Sequence, residues 1–488
     1  MPKESFLSDG TWGGRIFTGT WTDGAGGYSD VIDKSTGNRL SKIGVATTQD
    51  LMHAAERASK AQSAWVAMTG EERASVFRRA AALVEAHGDE AALWIMRESG
   101  ATRAKANMEL RSTLATLHNA AAMLSEPQGL VFPAKPGQLS YGRRVPHGVV
   151  GVISPFNFPL TLAIRAVAPA LATGNAVILK PDVQTAVCGG VFIARLFEEA
   201  GLPAGTFQML PGGIDVGEAL CTDPHISMIA FTGSTAAGRR VGALCGGHLK
   251  KVSLELGGKN SLIVLDDADL DLAASNAAFG AWMHQGQICM ATGRILAHEQ
   301  IADELVSRLV DKARRLKVGD TSADNMQLGP IINQRQIERV DHLVRQTVEA
   351  GATLHAGGTF DGLFYRPTVL SGVVPGMAAF DEEVFGPVAS ITTFATDDEA
   401  VQLANKTDYG LSAAVISRSV GRAMALGNRL ATGLLHINDQ TVAGDPNIPY
   451  GGRGASGNGS RIGGPANWDE FTQWQWVTLR DTPPRYPF

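Results

Sequence analysis

One cysteine of this chain stands among small and polar residues, where a thiol could act as a nucleophile. The stretch "HQGQICMATGR" spans residues 284–294 and contains Cys289. A nucleophilic cysteine reacts as the thiolate, so it needs access and neighbours that lower its pKa. Cys188, Cys221 and Cys245 instead fall inside apolar helical patterns, which predicts inert thiols. Cys289 is therefore the candidate nucleophile, with a small core residue as the alternative.

Two further polar residues could assist such a thiol. In "SLELGGKN", Glu255 ends an apolar strand just before two glycines, where the backbone turns tightly. A carboxylate there suits a general base, and a glutamate paired with a lysine on an edge strand is the alternative. In "SPFNFPL", Asn157 lies between two phenylalanines and could donate a hydrogen bond to an oxyanion. The alternative is an asparagine that bonds its own turn.

A third group of residues could bind phosphate. "FTGSTAAGRR" follows the apolar run "ISMIAF" and opens a helix, which gives Gly233, Ser234 and Gly238 a strand–turn–helix setting. Helix N–H groups bind a dinucleotide pyrophosphate in that setting, although a glycine pair before a helix is often only a turn. Lys180 of "ILKPD" ends another apolar run, at the sheet edge where open α/β folds bind ligands. A solvated lysine at a strand end is the alternative.

The elements that must position these residues alternate along the chain. Ala-rich segments from Thr47 to about Leu124 predict amphipathic helices. The runs "GVVGVI", "NAVILK", "GTFQML" and "ISMIAF" then alternate with helical stretches and predict a parallel sheet. A second alternating block, from "KVSLEL" and "NSLIVL" to about residue 440, predicts a second α/β domain. The tail "DEFTQWQWVTLRDTPPRYPF" and "GQLSYGRRV" are interpreted as β structure at a subunit contact.

Composition excludes several classes of protein. The 488 residues carry a net charge of −5 without a basic stripe, so neither nucleic acid nor an anionic membrane is an expected partner. The four cysteines lie far apart with no Cys/His ligand spacing, which argues against disulfides and against a metal site. The apolar stretch from Leu160 to Leu179 is interrupted by Arg165, Pro169 and Gly174, so it does not predict a membrane-spanning helix. With no signal peptide at the N-terminus, the expected location is the cytoplasm.

Taken together, these motifs resemble the aldehyde dehydrogenase superfamily over essentially the whole chain. "PFNFP", "LKPD", "FTGSTAAG", "LELGGK", "GQICMATGR", "EEVFGP" and "PYGGRGASG" occur in the order of that family. The resemblance implies an α/β fold with a Rossmann-like NAD(P)-binding domain, a second α/β catalytic domain and a β-arm for oligomerisation. The expected bounds are 1–125 and 145–252 for the cofactor domain, 253–440 for the catalytic domain, and 126–144 and 465–488 for the arm. A homodimer or homotetramer is expected.

The resemblance also assigns roles. Cys289 would be the nucleophile, Asn157 an oxyanion donor and Glu255 the base for deacylation. The cofactor would contact residues of four motifs, namely Lys180 at the adenosine ribose, Gly233, Ser234 and Gly238 at the pyrophosphate, Glu383 and Phe385 at the nicotinamide ribose and ring, and Phe156, which replaces a tryptophan common in the family.

This chemistry explains the small residues around Cys289. Attack of the thiolate on an aldehyde gives an oxyanion that Asn157 would hold, and loss of hydride to the nicotinamide leaves a thioester. Water activated by Glu255 would hydrolyse that thioester, with small neighbours leaving space for cofactor and water. Relatives that pass the acyl group to coenzyme A usually lack this glutamate, so the free acid is the expected product. A catalytically silent member would be expected to have lost Cys289 or Glu255.

The cofactor preference depends on one position. The family often has a glutamate that repels a 2′-phosphate where this chain has Val183, in "KPDV". NAD is the expected cofactor, and tolerance of NADP stays open.

The stretches "LKPDVQTAV", "MHQGQICMATGR", "LLHINDQTV" and "GGPANWDEFTQWQW" resemble the bacterial benzaldehyde dehydrogenases, with vanillin-type enzymes close by. An aromatic aldehyde is therefore the expected substrate, held between flat walls such as Phe156 and Trp282, for which core packing is the alternative. The second candidate substrate is a semialdehyde whose distal carboxylate binds Arg165. We favour a structural role for Arg165, as the partner of a carboxylate between domains, because no second cation completes a carboxylate clamp.

Overall fold

The computed structural model describes residues 5–323 and 325–488; residues 1–4 of the expected cofactor domain and residue 324 of the expected catalytic domain lie outside the described residues. The α-helices of this part of the chain are α1 Asp9–Trp12, α2 Thr48–Ala67, α3 Gly70–Ser99, α4 Arg103–Met123, α5 Pro159–Ala172, α6 Phe192–Glu199, α7 Ile214–Thr222, α8 Thr235–Gly247, α9 Leu270–Trp282, α10 Glu299–Arg315, α11 Gln334–Glu349, α12 Ala378–Asp381, α13 Asp397–Asn405, α14 Val420–Gly427 and α15 Ala466–Phe471.

The strands are β1 Arg15–Phe17, β2 Trp21–Asp23, β3 Tyr28–Ile32, β4 Arg39–Gly44, β5 Gly129–Phe132, β6 Gln138–Pro146, β7 Val149–Ile153, β8 Ala176–Lys180, β9 Phe207–Met209, β10 Met228–Thr232, β11 Lys251–Glu255, β12 Asn260–Val264, β13 Thr292–His298, β14 Thr353–Ala356, β15 Phe360–Asp361, β16 Phe364–Tyr365, β17 Thr368–Ser371, β18 Val388–Phe394, β19 Tyr409–Gly410, β20 Ser412–Ile416, β21 Leu434–Ile437, β22 Arg453–Gly454 and β23 Thr472–Arg480. Short 3₁₀ or π turns occupy Val183–Thr185, Val187–Val191 and Met283–Gly286.

The first large sheet has the order β11-β10-β7-β8-β9-β1-β2. Its strands from β11 to β9 are parallel, as the alternating pattern predicts, and are nearly continuous apolar runs because helices cover both faces. The register pairs Ile153 with Lys180 and Thr232 with Glu255. The carboxyl ends of β8, β10 and β11 therefore bring the candidate site residues to one edge of this sheet.

The second large sheet has the order β14-β17-β18-β13-β12-β20-β21, in which only the edge strand β14 is antiparallel to its neighbour. The second alternating block is thus confirmed, with one correction. The run "KVSLEL" forms β11, which pairs with β10 in the first sheet, so the expected border between residues 252 and 253 falls inside a strand. Helix α8 is the crossover between these two parallel strands, and a sequence pattern predicts a strand but not the sheet that it joins.

A smaller three-stranded antiparallel sheet has the order β23-β6-β5 and lies apart from the two large sheets. It joins "GQLSYGRRV" to the C-terminal tail, and β6 extends to Pro146, two residues past the expected bound. The first residues of the expected tail segment form α15 instead of a strand. The sheet exposes large apolar side chains, with Val131 77 % and Trp476 73 % exposed. The subunit contact itself stays a prediction.

The expected helices before residue 124 are confirmed as α2, α3 and α4. Thr47 and Thr69 cap the starts of α2 and α3 with capping boxes. In each box the threonine hydroxyl accepts a backbone N–H from three residues on, and the carboxylate of that residue accepts the threonine N–H. Gly100 ends α3 in the left-handed conformation. Helix α4 packs against α5. Of the described helices, none combines the length and apolarity needed to cross a membrane.

Candidate active site

The loop that carries Cys289 has an unusual backbone. His284, Gln285 and Gly286 have φ values of 47°, 56° and 67°, so three consecutive residues are left-handed. Non-glycine residues adopt this conformation only when their surroundings enforce it. The Gln285 amide donates to the carbonyl oxygens of Gly100 at 2.8 Å and Pro330 at 3.1 Å. A Cβ at Gly286 would lie 2.1 Å from the Gly386 carbonyl oxygen, so glycine is required there.

The thiol of Cys289 is half-buried, whereas the other three cysteines are fully buried. Its Sγ lies 3.5 Å from the Tyr450 hydroxyl. Burial raises the pKa of the Cys289 thiol, while the hydrogen bond from Tyr450 and the charge of Arg165 act in the opposite direction. Sequence reasoning missed Tyr450, because the motif "PYGGRGASG" contributed only to the family resemblance and none of its residues was given a role.

Asn157 lies beside this thiol loop. Its side-chain amide donates to the Gln287 carbonyl oxygen at 2.8 Å, and the residue lines the same cavity as Cys289. The side chain therefore bonds the cysteine loop and not its own turn, which excludes that alternative. Since a primary amide carries two N–H donors, this bond leaves one N–H for a group in the cavity.

A buried ion pair fixes the main chain of Asn157. Lys105 donates to Glu109 at 2.5 Å and to the Asn157 carbonyl oxygen at 2.7 Å. The second oxygen of Glu109 accepts the N–H groups of Leu160 and Thr161 at the start of α5. Both charged side chains are at most 2 % exposed. Sequence reasoning missed the pair, for which the i,i+4 spacing on α4 was the only signal.

Glu255 is buried at the end of β11, and neither carboxylate oxygen has a hydrogen-bond partner among the described residues. The alternative, a glutamate paired with a lysine on an edge strand, is thus excluded: β11 is an edge strand, but Glu255 has no lysine partner among the described residues. Burial raises the pKa of Glu255 to about 8, opposed by the charges of Arg165 and Arg461. A Cβ at Gly451 would lie 2.7 Å from this carboxylate, so glycine leaves space beside it. Such a carboxyl group can gain and release a proton near neutral pH.

The expected pyrophosphate turn lies where β10 passes into α8. Ser234 caps α8 by accepting the Ala237 N–H at 3.3 Å, and Gly233 donates to the Glu255 carbonyl oxygen at 3.0 Å. A Cβ at Gly238 would lie 2.3 Å from the Leu256 side chain, so this glycine allows α8 to approach the sheet. The strand–turn–helix geometry is confirmed, and in such a first turn the N–H groups that the cap does not bond point outward, where an anion can bind. The pyrophosphate contact stays a prediction.

Lys180 ends β8 at the same sheet edge. Burial lowers its pKa, while Asp182 and Asp215 oppose that effect, so it is not a solvated surface lysine. Val183 opens the 3₁₀ turn after this strand, and Asp182 caps the turn. Lys180 is thus half-buried, and its contact with a ribose stays a prediction.

Glu383 and Phe385 come from the second half of the chain to the same edge. Glu383 accepts the Gly258 N–H at 3.1 Å, and burial raises its pKa to about 7. Phe385 has a φ of 56°, and its ring meets that of Phe156 edge to face at 6.1 Å. A Cβ at Gly257 would lie 2.4 Å from the Glu383 carboxylate. The glycine pair of "LELGGK" therefore lets Glu383 approach the end of β11.

A cavity of about 140 Å³ opens on the other side of Cys289. Its walls are mostly apolar and include Phe158, Met108, Leu162, Ile288, Val442 and Ile462. The expected walls Phe156 and Trp282 do not line it. Trp282 ends α9 and is buried in the core against the second sheet, as the core-packing alternative holds.

Arg165 lines this cavity from α5, with its guanidinium 4.4 Å from the centre of the Tyr450 ring. None of the ion pairs between described side chains includes Arg165. The expected structural pairing with a carboxylate is thus wrong. The aromatic face of Tyr450 takes the place of that partner.

Comparison with known proteins agrees with this geometry. Residues 21–477 match the model of the aldehyde dehydrogenase family. The chain is 53 % identical to a vanillin dehydrogenase of an Amycolatopsis species over 485 residues, which are 99 % of this chain and 100 % of the relative. It is 48 % identical to a Pseudomonas putida benzaldehyde dehydrogenase [NAD(+)] over 478 residues, 98 % of each chain.

A solved structure extends the agreement to the fold. The crystal structure of betaine aldehyde dehydrogenase from Staphylococcus aureus in complex with NAD+ superposes with a TM-score of 0.94 at 28 % identity, covering 100 % of this chain and 98 % of the other. The two large α/β sheets, the half-buried thiol and these comparisons lead to one conclusion: this chain belongs to the aldehyde dehydrogenase family.

Proposed function

We propose that this enzyme oxidises a small aromatic aldehyde to the carboxylic acid with NAD+. The observation that carries the substrate class is the cavity of about 140 Å³ with apolar and aromatic walls beside Cys289. An engineered apolar cavity of roughly 150 Å³ holds one benzene ring, so the volume suits a single arene. The vanillin and benzaldehyde dehydrogenases among the relatives support the same substrate class.

In the proposed first step, the Cys289 thiolate attacks the aldehyde carbon and forms a C–S bond. The carbonyl oxygen becomes an alkoxide, which accepts hydrogen bonds from the second Asn157 N–H and from the backbone N–H of Cys289. Lys105 and Glu109 hold the Asn157 main chain, so the donor needs little reorganisation when the charge develops.

The described residues fit a dinucleotide at the sheet edge. The free N–H groups at the start of α8 suit a pyrophosphate, and Lys180 and Glu383 suit the hydroxyls of the two riboses. When bound there, NAD+ accepts the hydride that leaves the substrate carbon. The Phe156–Phe385 ring pair would border the nicotinamide at this edge.

Loss of hydride leaves an acyl group on Cys289 as a thioester. In the proposed last step the Glu255 carboxylate takes a proton from a water molecule as the water oxygen attacks the acyl carbon. The C–S bond then breaks, the free acid leaves and Cys289 returns as the thiolate. Gly451 leaves the space that this water needs beside Glu255.

The geometry favours an aromatic aldehyde over a semialdehyde. One face of the Arg165 guanidinium is covered by the Tyr450 ring, and no second cationic side chain lines this cavity within the described chain. A distal carboxylate of the substrate would therefore meet one cationic side chain instead of the two that would complete a clamp. For the cofactor, the proposal includes tolerance of NADP, because Val183 cannot repel a 2′-phosphate as a glutamate would.

The proposal extends to assembly and location. The exposed apolar side chains of the β23-β6-β5 sheet, among them Val131 and Trp476, support a homodimer or homotetramer built on this arm. Four free thiols support a reducing compartment, for which we propose the cytoplasm.

The test is absorbance at the reduced-nicotinamide band with benzaldehyde, vanillin or succinate semialdehyde and either NAD+ or NADP+. The wild-type enzyme is compared with Cys289→Ala and with Cys245→Ala, which removes a buried thiol on α8. Turnover of the aromatic aldehydes that is lost only in Cys289→Ala supports the proposal. Turnover of succinate semialdehyde alone would make Arg165 a substrate ligand, and an active Cys289→Ala would refute the mechanism.

A further inference from the structure

Tyr450 is placed against the reacting sulfur by contacts that the proposed mechanism does not use. Its hydroxyl oxygen lies 3.5 Å from Cys289 Sγ, and the side chain is buried at 5 % exposure. Within the described chain, this sulfur is the hydrogen-bond partner of the phenol. A thiolate has no proton to donate, so in the reactive state the phenol must be the donor.

The ring cannot easily move away from the sulfur. The Tyr450 N–H donates to the Ile462 carbonyl at 3.0 Å, and the Ile462 N–H returns a bond of 3.0 Å to Tyr450. Leu411 and Leu434 pack in the same apolar cluster as the ring. Arg165 of α5 covers one ring face at 4.4 Å. The glycine-rich loop and α5 thus hold the phenol together.

We propose that Tyr450 is a catalytic residue, which donates a hydrogen bond from its phenol to the Cys289 thiolate while Arg165 stacks on its ring. The inference rests on the proposed role of Cys289 as the nucleophile. It adds a donor on the sulfur to the donors that Asn157 and the backbone supply to the oxyanion.

The charges around the sulfur fit this role. Burial raises the pKa of the Cys289 thiol, Tyr450 and Arg165 lower it, and the carboxylates of Glu383 and Glu255 raise it further. Burial also raises the pKa of Tyr450 well above its usual value, so the phenol keeps its proton across the working pH range. Tyr450 is thus a permanent donor beside a thiol that is otherwise disfavoured as the anion.

The experiment measures alkylation of Cys289 by iodoacetamide against pH, with neither substrate nor cofactor present. Modification is followed on the Cys289 peptide by mass spectrometry. Tyr450→Phe removes the hydroxyl and keeps the ring over Arg165, and Tyr365→Phe is the matched control because it removes a buried hydroxyl elsewhere. Hydrogen bonds to charged groups predict that the apparent thiol pKa of Tyr450→Phe rises by about one unit. The control should match the wild type.

A second signature distinguishes loss of the donor from general damage. Alkylation of Tyr450→Phe should be about tenfold slower at pH 7 and should equal or exceed the wild-type rate at high pH, because a more basic thiolate is a stronger nucleophile. Replacing Tyr450 by 3,5-difluorotyrosine strengthens the donor and should move the thiol pKa downward. Superimposed profiles of wild type and Tyr450→Phe would overturn the inference. If Cys289→Ala kept its aldehyde dehydrogenase activity, the proposed function would fail instead.

Discussion

The pKa of Glu255 gives a quantitative prediction for the last step of the reaction. With a pKa of about 8, the carboxylate fraction is roughly one-tenth at pH 7 and roughly nine-tenths at pH 9. If deacylation limits turnover, kcat should therefore rise about tenfold between these pH values. Glu255→Gln keeps the size of the side chain and removes the base, so kcat should fall by about 10²- to 10⁴-fold and lose its pH dependence.

The assay separates the two half-reactions. Rapid mixing of Glu255→Gln with benzaldehyde and NAD+ should give a burst of about one reduced cofactor per active site, followed by a very slow steady rate. The mass of the intact protein should then show the acyl group on Cys289. The reasoning is refuted if Glu255→Gln turns over at the wild-type rate, or if the acyl-enzyme of the wild type decays at one rate from pH 7 to pH 9.

The same burial makes an independent prediction for stability. Folding raises the pKa of Glu255 from 4.5 to about 8, so over this window the native chain holds a proton that the unfolded chain has released. Glu255 therefore lowers the free energy of unfolding progressively as pH rises from about 4.5 to 8. Glu255→Gln should melt near the wild-type Tm at pH 4.5 and above it at pH 9. Calorimetry that shows the opposite order at pH 9 would contradict the burial argument.

Three further predictions concern residues outside the reacting groups. Lys105→Met leaves Glu109 buried without its cation, so the free energy of unfolding should fall by roughly 3 to 5 kcal/mol in denaturant titrations. The double variant Lys105→Met/Glu109→Gln should recover part of that free energy. Equal stability of the single and double variants would contradict this prediction. Gly238→Ala places a Cβ 2.3 Å from Leu256, so the Kd for NAD+ should rise at least several-fold in calorimetric titrations while Cys289 alkylation stays unchanged. Trp476→Asp puts a charge among the exposed apolar side chains of the arm sheet and should lower the oligomeric mass in light scattering, unlike Asp481→Asn, one residue past the same strand. An unchanged mass would place the contact elsewhere.

Sequence reasoning reached the elements that local patterns encode. The buried strands were visible as apolar runs with β-branched residues, and Cys289 stood apart because small residues surround it. The membership of β11 in the first sheet was not visible, since β11 and β12 are similar apolar runs five residues apart. A local pattern carries no information on which neighbour a strand will pair with.

Residues that act through distant contacts were also missed. Lys105 and Glu109 look like a solvated i,i+4 pair until α4 is packed against α5, and only then is their burial evident. Tyr450 meets Cys289 across 161 positions of sequence. Trp282 was misassigned because this ring, although close to the nucleophile in sequence, packs into the core of the second sheet and does not line the cavity.

The amide of Gln285 bonds two carbonyl oxygens that belong to different parts of the chain, one at the end of α3 and one in the segment before α11. A Cβ at Gly329 would lie 2.1 Å from the Gly100 oxygen and 2.7 Å from the Gln285 amide nitrogen, so no side chain fits at this junction. The position of the loop that carries Cys289 is therefore fixed by contacts with both of these segments. If the loop alone were transplanted into another protein, its sequence would be kept, but the contacts that position the sulfur would be absent. Substitutions should accordingly be tolerated least at this junction of Gly100, Gln285 and Gly329, and better along the walls of the cavity beside Cys289.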